Sequence, residues 1–167
     1  MATLSIPLFP LGTVLFPDGV LPLQVFEVRY LDMMRKCIDS GSPFGVVLLT
    51  QGTEVRTPDG DERFEQAGTL ATVQETLEAS PGLLKVLCRG AARFHIVSSE
   101  RRPNGLWTAE VELLENDHAV PIPSELQGAA DALDRVLELL DEIQEERWPL
   151  LPPFQLHHCG WVSNRWC

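Results

Sequence analysis

The sequence predicts an α+β fold: a mostly antiparallel, β-rich body with one inserted helix, followed by a helical lobe. Three observations carry this. From Phe44 to Leu113 short apolar runs recur between glycine and polar turn residues, the pattern of a barrel or sandwich rather than of alternating β-α units. Phe26, Tyr30, Met33, Met34 and Cys37 recur at three- and four-residue spacing, which predicts a single helix ahead of those strands. Beyond Pro121-Ile122-Pro123, the residues Leu126, Ala130, Leu133, Val136, Leu137, Leu140 and Ile143 form one apolar stripe opposite a face of acids, as an amphipathic helix does. The expected division is therefore 1–120 for the β-rich lobe and 121–167 for the helical lobe.

The opening third is punctuated by proline and glycine. In Ile6-Pro7-Leu8-Phe9-Pro10-Leu11 and Val14-Leu15-Phe16-Pro17-Asp18-Gly19-Val20-Leu21-Pro22-Leu23, each proline removes a donor and stops a helix, so these are short extended segments joined by turns, with Pro17-Asp18-Gly19 the clearest turn. The first helix spans Glu27 to Asp39, with Glu27 at its start and Arg35 and Lys36 near its end suiting the dipole. Strands follow at Phe44 to Leu49, Gly68 to Gln74, Leu83 to Cys88 and Arg93 to Val97. The best alternation comes after Gly105, where Trp107, Ala109, Val111 and Leu113 share one face and Thr108, Glu110 and Glu112 the other. The long helix starts at Ser124-Glu125-Leu126-Gln127, a spacing suited to a reciprocal cap, and closes near Arg147 and Pro149. A partner helix within Phe154 to Trp166 would carry Phe154, His158, Trp161, Val162 and Arg165 on one side; ending on Trp166 and Cys167 without a cap, it reads as incomplete.

A chain of 167 residues buries about 69% of its unfolded surface, enough for one substantial core. Four cysteines without C-x-x-C spacing and no secretory leader imply reduced thiols in the cytoplasm. The longest apolar run, Phe44 to Leu49, is far short of the roughly 20 residues of a membrane helix, so no membrane partner is expected. The formal net charge is -11, and Glu110 to Glu146 alone holds twelve acids against one base, Arg135, leaving twelve of each sign elsewhere. Nothing offers the basic excess that nucleic acid requires, so no nucleic-acid partner is expected.

Catalytic constellations are sparse. No phosphate-cradling glycine loop, His-Glu-x-x-His or Gly-x-Ser-x-Gly elbow is present. His157, His158 and Cys159 lack the paired spacing of a zinc site, so neither metal nor cofactor is expected. Cys88 and His95 suggest a nucleophile and base, but Cys88 continues an apolar strand and reads as a small core residue. Lys36 and Lys85, the only lysines, read as solvated rather than as bases of a serine-lysine dyad.

The stretch Ile6-Pro-Leu-Phe-Pro-Leu-Gly-Thr-Val-Leu-Phe-Pro-Asp-Gly-Val-Leu-Pro-Leu-Gln-Val-Phe-Glu-Val-Arg-Tyr-Leu-Asp-Met-Met34 closely resembles the amino-terminal, substrate-binding domain of Lon proteases. The likeness continues through Phe44-Gly45-Val46-Val47, Gly68-Thr69-Leu70-Ala71-Thr72-Val73 and Gly90-Ala91-Ala92-Arg93-Phe94, covering about residues 4 to 114 well. The resemblance implies a PUA-like pseudo-barrel followed by a helical lobe, in a stand-alone bacterial member without ATPase or protease modules. Within the signature, Glu27 and Arg29 are expected to tie the first helix to the preceding loop, with Phe26 and Tyr30 in the core beneath it.

These readings predict a non-enzymatic, ATP-independent module that binds unfolded or apolar polypeptide segments, related to proteolysis through its family. The candidate peptide-binding residues are Phe16, Pro17, Val20, Leu21 and Pro22, an apolar loop that is either folded inward or left as a patch for extended peptide. The alternative is an oligomeric scaffold or adaptor, homo- or hetero-oligomeric, working through the helical lobe. A small hydrolase using Cys88 or His95 and an RNA-binding PUA-like protein are the weakest readings.

Overall fold

The computed structural model describes residues 3–55, 61–143 and 152–167. Its internal contacts divide the chain into two units, Met1–Glu115 and Asn116–Cys167. The first contains strands β1 (Thr3–Leu11), β2 (Val20–Val25), β3 (Phe44–Gln51), β4 (Arg63–Ser80), β5 (Leu83–Arg101) and β6 (Trp107–Leu113), with helix α1 (Val28–Ser40) between β2 and β3. The strand order is β2-β5-β4-β3-β1-β6, and β5 pairs with β6 as well. Five strands therefore close on themselves, while β2 hangs from β5 as an edge. Every pairing is antiparallel except that of β1 with β3.

Closure depends on β5 serving two partners in succession. Residues 84–89 pair with β2, residues 94–101 with β6, and β4 runs along both parts. The sequence divides this strand in two, at Leu83 to Cys88 and Arg93 to Val97, and places only the middle of β4. The structure keeps both continuous, because Gly90-Ala91-Ala92 stays extended through the bend instead of turning. Gly90 has to be glycine there: a Cβ would lie 2.2 Å from the Phe16 carbonyl oxygen.

Alternation along the strands sends neighbours into two different cores. Ile6, Leu8, Val47, Leu70, Phe94, Ile96, Ala109 and Val111 form one cluster, lining the closed ring. Phe9, Leu11, Val46, Ala71, Val86 and Cys88 point to the other face, where Tyr30, Met33, Met34 and Cys37 of α1 cover them. The helix ends on Gly41, whose φ of 65° is the left-handed cap that L-residues avoid. Two sequence expectations change here. Phe26 is 55% exposed rather than in the core, since β2 continues to Val25 and alternation turns Val25 inward and Phe26 out. Arg35 and Lys36 fall short of the last turn, and Glu27 precedes the helix as its cap position without a side-chain capping bond.

The second unit has a short 3-10 turn (Ser124–Leu126) leading into α2 (Gln127–Ile143), and then α3 (Cys159–Trp166). Ala130, Leu133 and Leu137 meet Trp161 and Val162, with Ile122 and Leu156 alongside. The expected reciprocal cap does not form: Ser124 Oγ donates to Glu125 and Gln127 Nε2 to Asp131 Oδ1. Pro123 occupies the cap position, and the tight 3-10 turn supplies the entry instead. The partner helix starts only at Cys159, because His158 is extended and bridges to Pro121. The expected end of the long helix near Arg147 and Pro149 lies outside the described residues.

Candidate functional site

The β1–β2 connection and β2 hold all five candidate residues. The predicted turn is present and stapled: the Gly19 N–H donates to the Phe16 carbonyl at 2.9 Å, and the Asp18 N–H to the Gly90 carbonyl at 2.9 Å. Gly90 N–H returns a bond to Gly19 at 2.8 Å, and Arg89 Nη2 donates to Asp18 Oδ1 at 3.3 Å. Upstream, the Thr69 hydroxyl donates to the Leu15 carbonyl at 2.6 Å inside the protein. Asp18 sits at φ 60°, a conformation that a short polar side chain tolerates better than most.

Within this frame the candidates separate by face. Phe16 and Pro17 are half-buried at the turn. Leu21 and Leu23 pack against the α1-side core, so alternation turns Val20, Pro22 and Gln24 the other way, with Val20 half-buried and Pro22 exposed. The Gly90-to-Gly19 bond fixes the parity of the ladder, so Leu21 and Leu23 direct their backbone groups at β5, and Val20, Pro22 and Gln24 direct theirs at the open edge. Proline is compatible there because its missing N–H faces no partner strand.

Two features around this loop escape sequence reasoning. One is a groove of about 200 Å³ between residues 13–15, Val46 and Leu48 of β3, and Glu65, Ala67, Gly68 and Thr69 of β4. Residues 13–15, Val46, Gly68 and Thr69 lie in the segments that carry the family resemblance, but nothing in those segments says that they meet around a groove. The other is a buried charge cluster. Arg29, 4% exposed, donates to Glu27 Oε2 at 3.1 Å, to Glu62 Oε1 at 3.0 Å and to the Gly105 carbonyl at 2.8 Å. Trp107 Nε1 donates to the other Glu62 oxygen at 2.7 Å, and the guanidinium lies 4.5 Å from the Tyr30 ring centre. Burial alone would lower the Arg29 pKa, but the Glu62 hydrogen bond and the nearby carboxylates of Glu62 and Glu27 outweigh it and raise it. The sequence ties Glu27 to Arg29 locally, whereas Glu62 and Trp107 join from 33 and 78 positions away in the chain, beyond what spacing reveals. This cluster pins α1 to the start of β4 and to the β5–β6 turn.

The Cys88 and His95 pair is not assembled. Cys88 is fully buried on the α1 side, where burial and then neighbouring Cys37 push its thiol up to about 12, while His95 is exposed. Nucleophilic cysteines need the opposite shift. His157 and His158 touch ring to ring at 4.3 Å, but among the described residues no three His, Cys, Asp or Glu side chains are placed to hold a metal ion. Among the described residues, too, no helix is long and apolar enough to cross a membrane.

The family described as the ATP-dependent protease La (LON) substrate-binding domain matches residues 5–157. The chain belongs to that family. A crystal structure of a Lon N-terminal domain protein from Xanthomonas campestris has a TM-score of 0.70 at 31% identity, covering 97% of this chain and 80% of that one. The N-terminal domain of a Mycobacterium avium complex Lon protease shares the fold at TM-score 0.53 and 16% identity, covering 84% of this chain and 69% of that one. Lon protease 1 of Bdellovibrio bacteriovorus is 28% identical over 139 residues, which are 81% of this chain and 17% of that protein. This chain thus corresponds to under a fifth of that relative's length, to its Lon substrate-binding portion rather than to ATPase or protease modules.

Proposed function

We propose that this domain is a non-enzymatic binding module, acting in the cytoplasm without ATP, that holds unfolded or apolar polypeptide segments against Phe16, Pro17, Val20, Leu21 and Pro22. The supporting observation is the pinned β1–β2 loop, whose Phe16 and Pro17 side chains stay half-buried beside the open edge of β2. Such an edge accepts an extended segment through main-chain bonds, while alternate side chains choose among sequences. Val20 and Pro22 supply the outward contacts, and Leu21 acts from behind by fixing the strand to the core. Pro22 also removes one donor from the edge, which discourages strands of this chain from pairing with each other. The acids concentrated between Glu110 and Glu146 favour basic clients at long range.

The test is fluorescence anisotropy of the purified chain against labelled unstructured peptides, half apolar-rich and half polar. The apolar set is expected to bind and to be lost with Val20→Asp; absence of binding to every peptide contradicts the proposal. A second reading, assembly through the helical lobe, draws support from Leu126, Val136 and Leu139, all exposed on or beside α2. A dimer mass in solution that reverts to monomer in Leu139→Glu would favour it.

A further inference from the structure

We infer that the groove beneath residues 13–15 is a distinct subsite, taking one large apolar side chain of an extended polypeptide whose adjacent residue is lysine or arginine. The inference rests on the polypeptide-binding reading and assigns it a sequence preference. Val14, Leu15, Val46, Leu48 and Ala67 give the groove apolar walls. The Thr69 hydroxyl is already committed to the Leu15 carbonyl, so it asks for no polar ligand. The same bond, with the Glu54 carboxylate accepting from the Gly12 N–H at 2.6 Å, holds the overhanging loop in place and leaves the groove formed before anything enters.

Size decides what enters. At about 200 Å³ the space falls below the roughly 300–1,000 Å³ of sites for whole small molecules, and suits a single leucine- or phenylalanine-sized side chain. Val14, 52% exposed at the rim, is an apolar surface that such an occupant would cover. Charge decides the neighbour. Among the described residues, Glu65 is the only charged one lining the groove; it is exposed, and no ion pair among them engages it. Arg63 precedes it on β4 but does not line the groove. A cation beside the bound apolar residue therefore meets a carboxylate, and an anion meets repulsion. Residues 13–15 run directly into Phe16 and Pro17, so a segment leaving the groove continues along the surface proposed above.

The experiment compares three labelled peptides in one glycine-serine frame, carrying Leu-Arg, Leu-Glu or Ala-Arg at the centre, by anisotropy. The wild-type chain is expected to bind Leu-Arg best, with Leu-Glu weaker by about threefold to fivefold, the size of an exposed ion pair. Glu65→Lys should invert that order, while the neutral Val14→Asn should weaken both leucine peptides and leave the Ala-Arg peptide unchanged. Thermal unfolding of each variant confirms that it is folded. If peptides bind and Val20→Asp abolishes binding, yet Glu65→Lys leaves the Leu-Arg to Leu-Glu ratio unchanged, the groove assignment is overturned and the polypeptide-binding reading stands. If no peptide binds the wild-type chain, both fall.

Discussion

In the unit Met1–Glu115, one sheet separates two clusters of buried side chains, whereas among the described residues of Asn116–Cys167 five buried residues hold two helices together. The sheet unit also carries pins between distant parts of the chain, such as Thr69 to Leu15 and Arg29 to Glu62 and Gly105. The helical unit leaves Leu126, Val136, Leu139, Phe154 and Trp166 exposed. A fold with two cores can hold an apolar loop at its surface in a fixed shape, because the loop's backbone is anchored elsewhere. Those exposed apolar residues contribute almost nothing to the folding of the helical unit itself.

The largest effect should come from the ring interior. Phe94 is fully buried, so Phe94→Ala should cost the sheet unit about 3–5 kcal/mol, read as a lowered urea midpoint. In the helical unit, Leu137→Ala should cost about 2–5 kcal/mol, while Leu139→Ala, 57% exposed in the parent, should stay within about 0.5 kcal/mol. Amide hydrogen exchange checks the contrast: Leu137→Ala should speed exchange in α2 and α3 and leave β3 to β5 protected. Equal effects of the two leucine substitutions would erase the distinction between buried and exposed stripes.

A smaller loss is expected from the buried cluster. Glu62→Gln keeps the shape but weakens the acceptors facing Arg29 and Trp107, costing roughly 1.5–3 kcal/mol, the worth of a hydrogen bond to a charged group. Loosening should appear at α1 and the β5–β6 turn in hydrogen exchange. A last effect is alkaline, and is absent at neutral pH. Above the ordinary thiol value of 9.0 the unfolded chain gives up the Cys88 proton, while the folded chain keeps it until about 12. The unfolded state then binds fewer protons, so stability falls as pH rises between those values and is unaffected below them. Cys88→Ala should flatten that decline in urea midpoints measured across the alkaline range.

Features set by local chemistry were legible in the sequence. The Pro17-Asp18-Gly19 turn, the three- and four-residue repeat of Tyr30, Met33, Met34 and Cys37, and the alternation after Gly105 all led to elements the structure contains. Features set by tertiary context were not. Nothing local to Gly90 says that β5 continues through it, since what matters is the Phe16 backbone pressing on it from far along the chain. Phe26 follows the helical period but belongs to the end of β2, where alternation outranks it. The choice between a buried and an exposed Phe16–Pro22 segment was not one the sequence could make, because the strand does both, with Leu21 inward and Pro22 out. The groove depends on three segments meeting, which no local pattern within any one of them announces.

The proposed polypeptide site is the β1–β2 loop and its neighbouring groove rather than the helical unit. Its most direct test is a nitrogen-15 amide shift map of the purified chain titrated with an apolar, leucine- and arginine-containing unstructured peptide. Saturable shifts gathered at residues 13–22, 46–48 and 65–69 are expected. Shifts gathered instead at residues 126–143, or none at saturating peptide, would contradict the proposal.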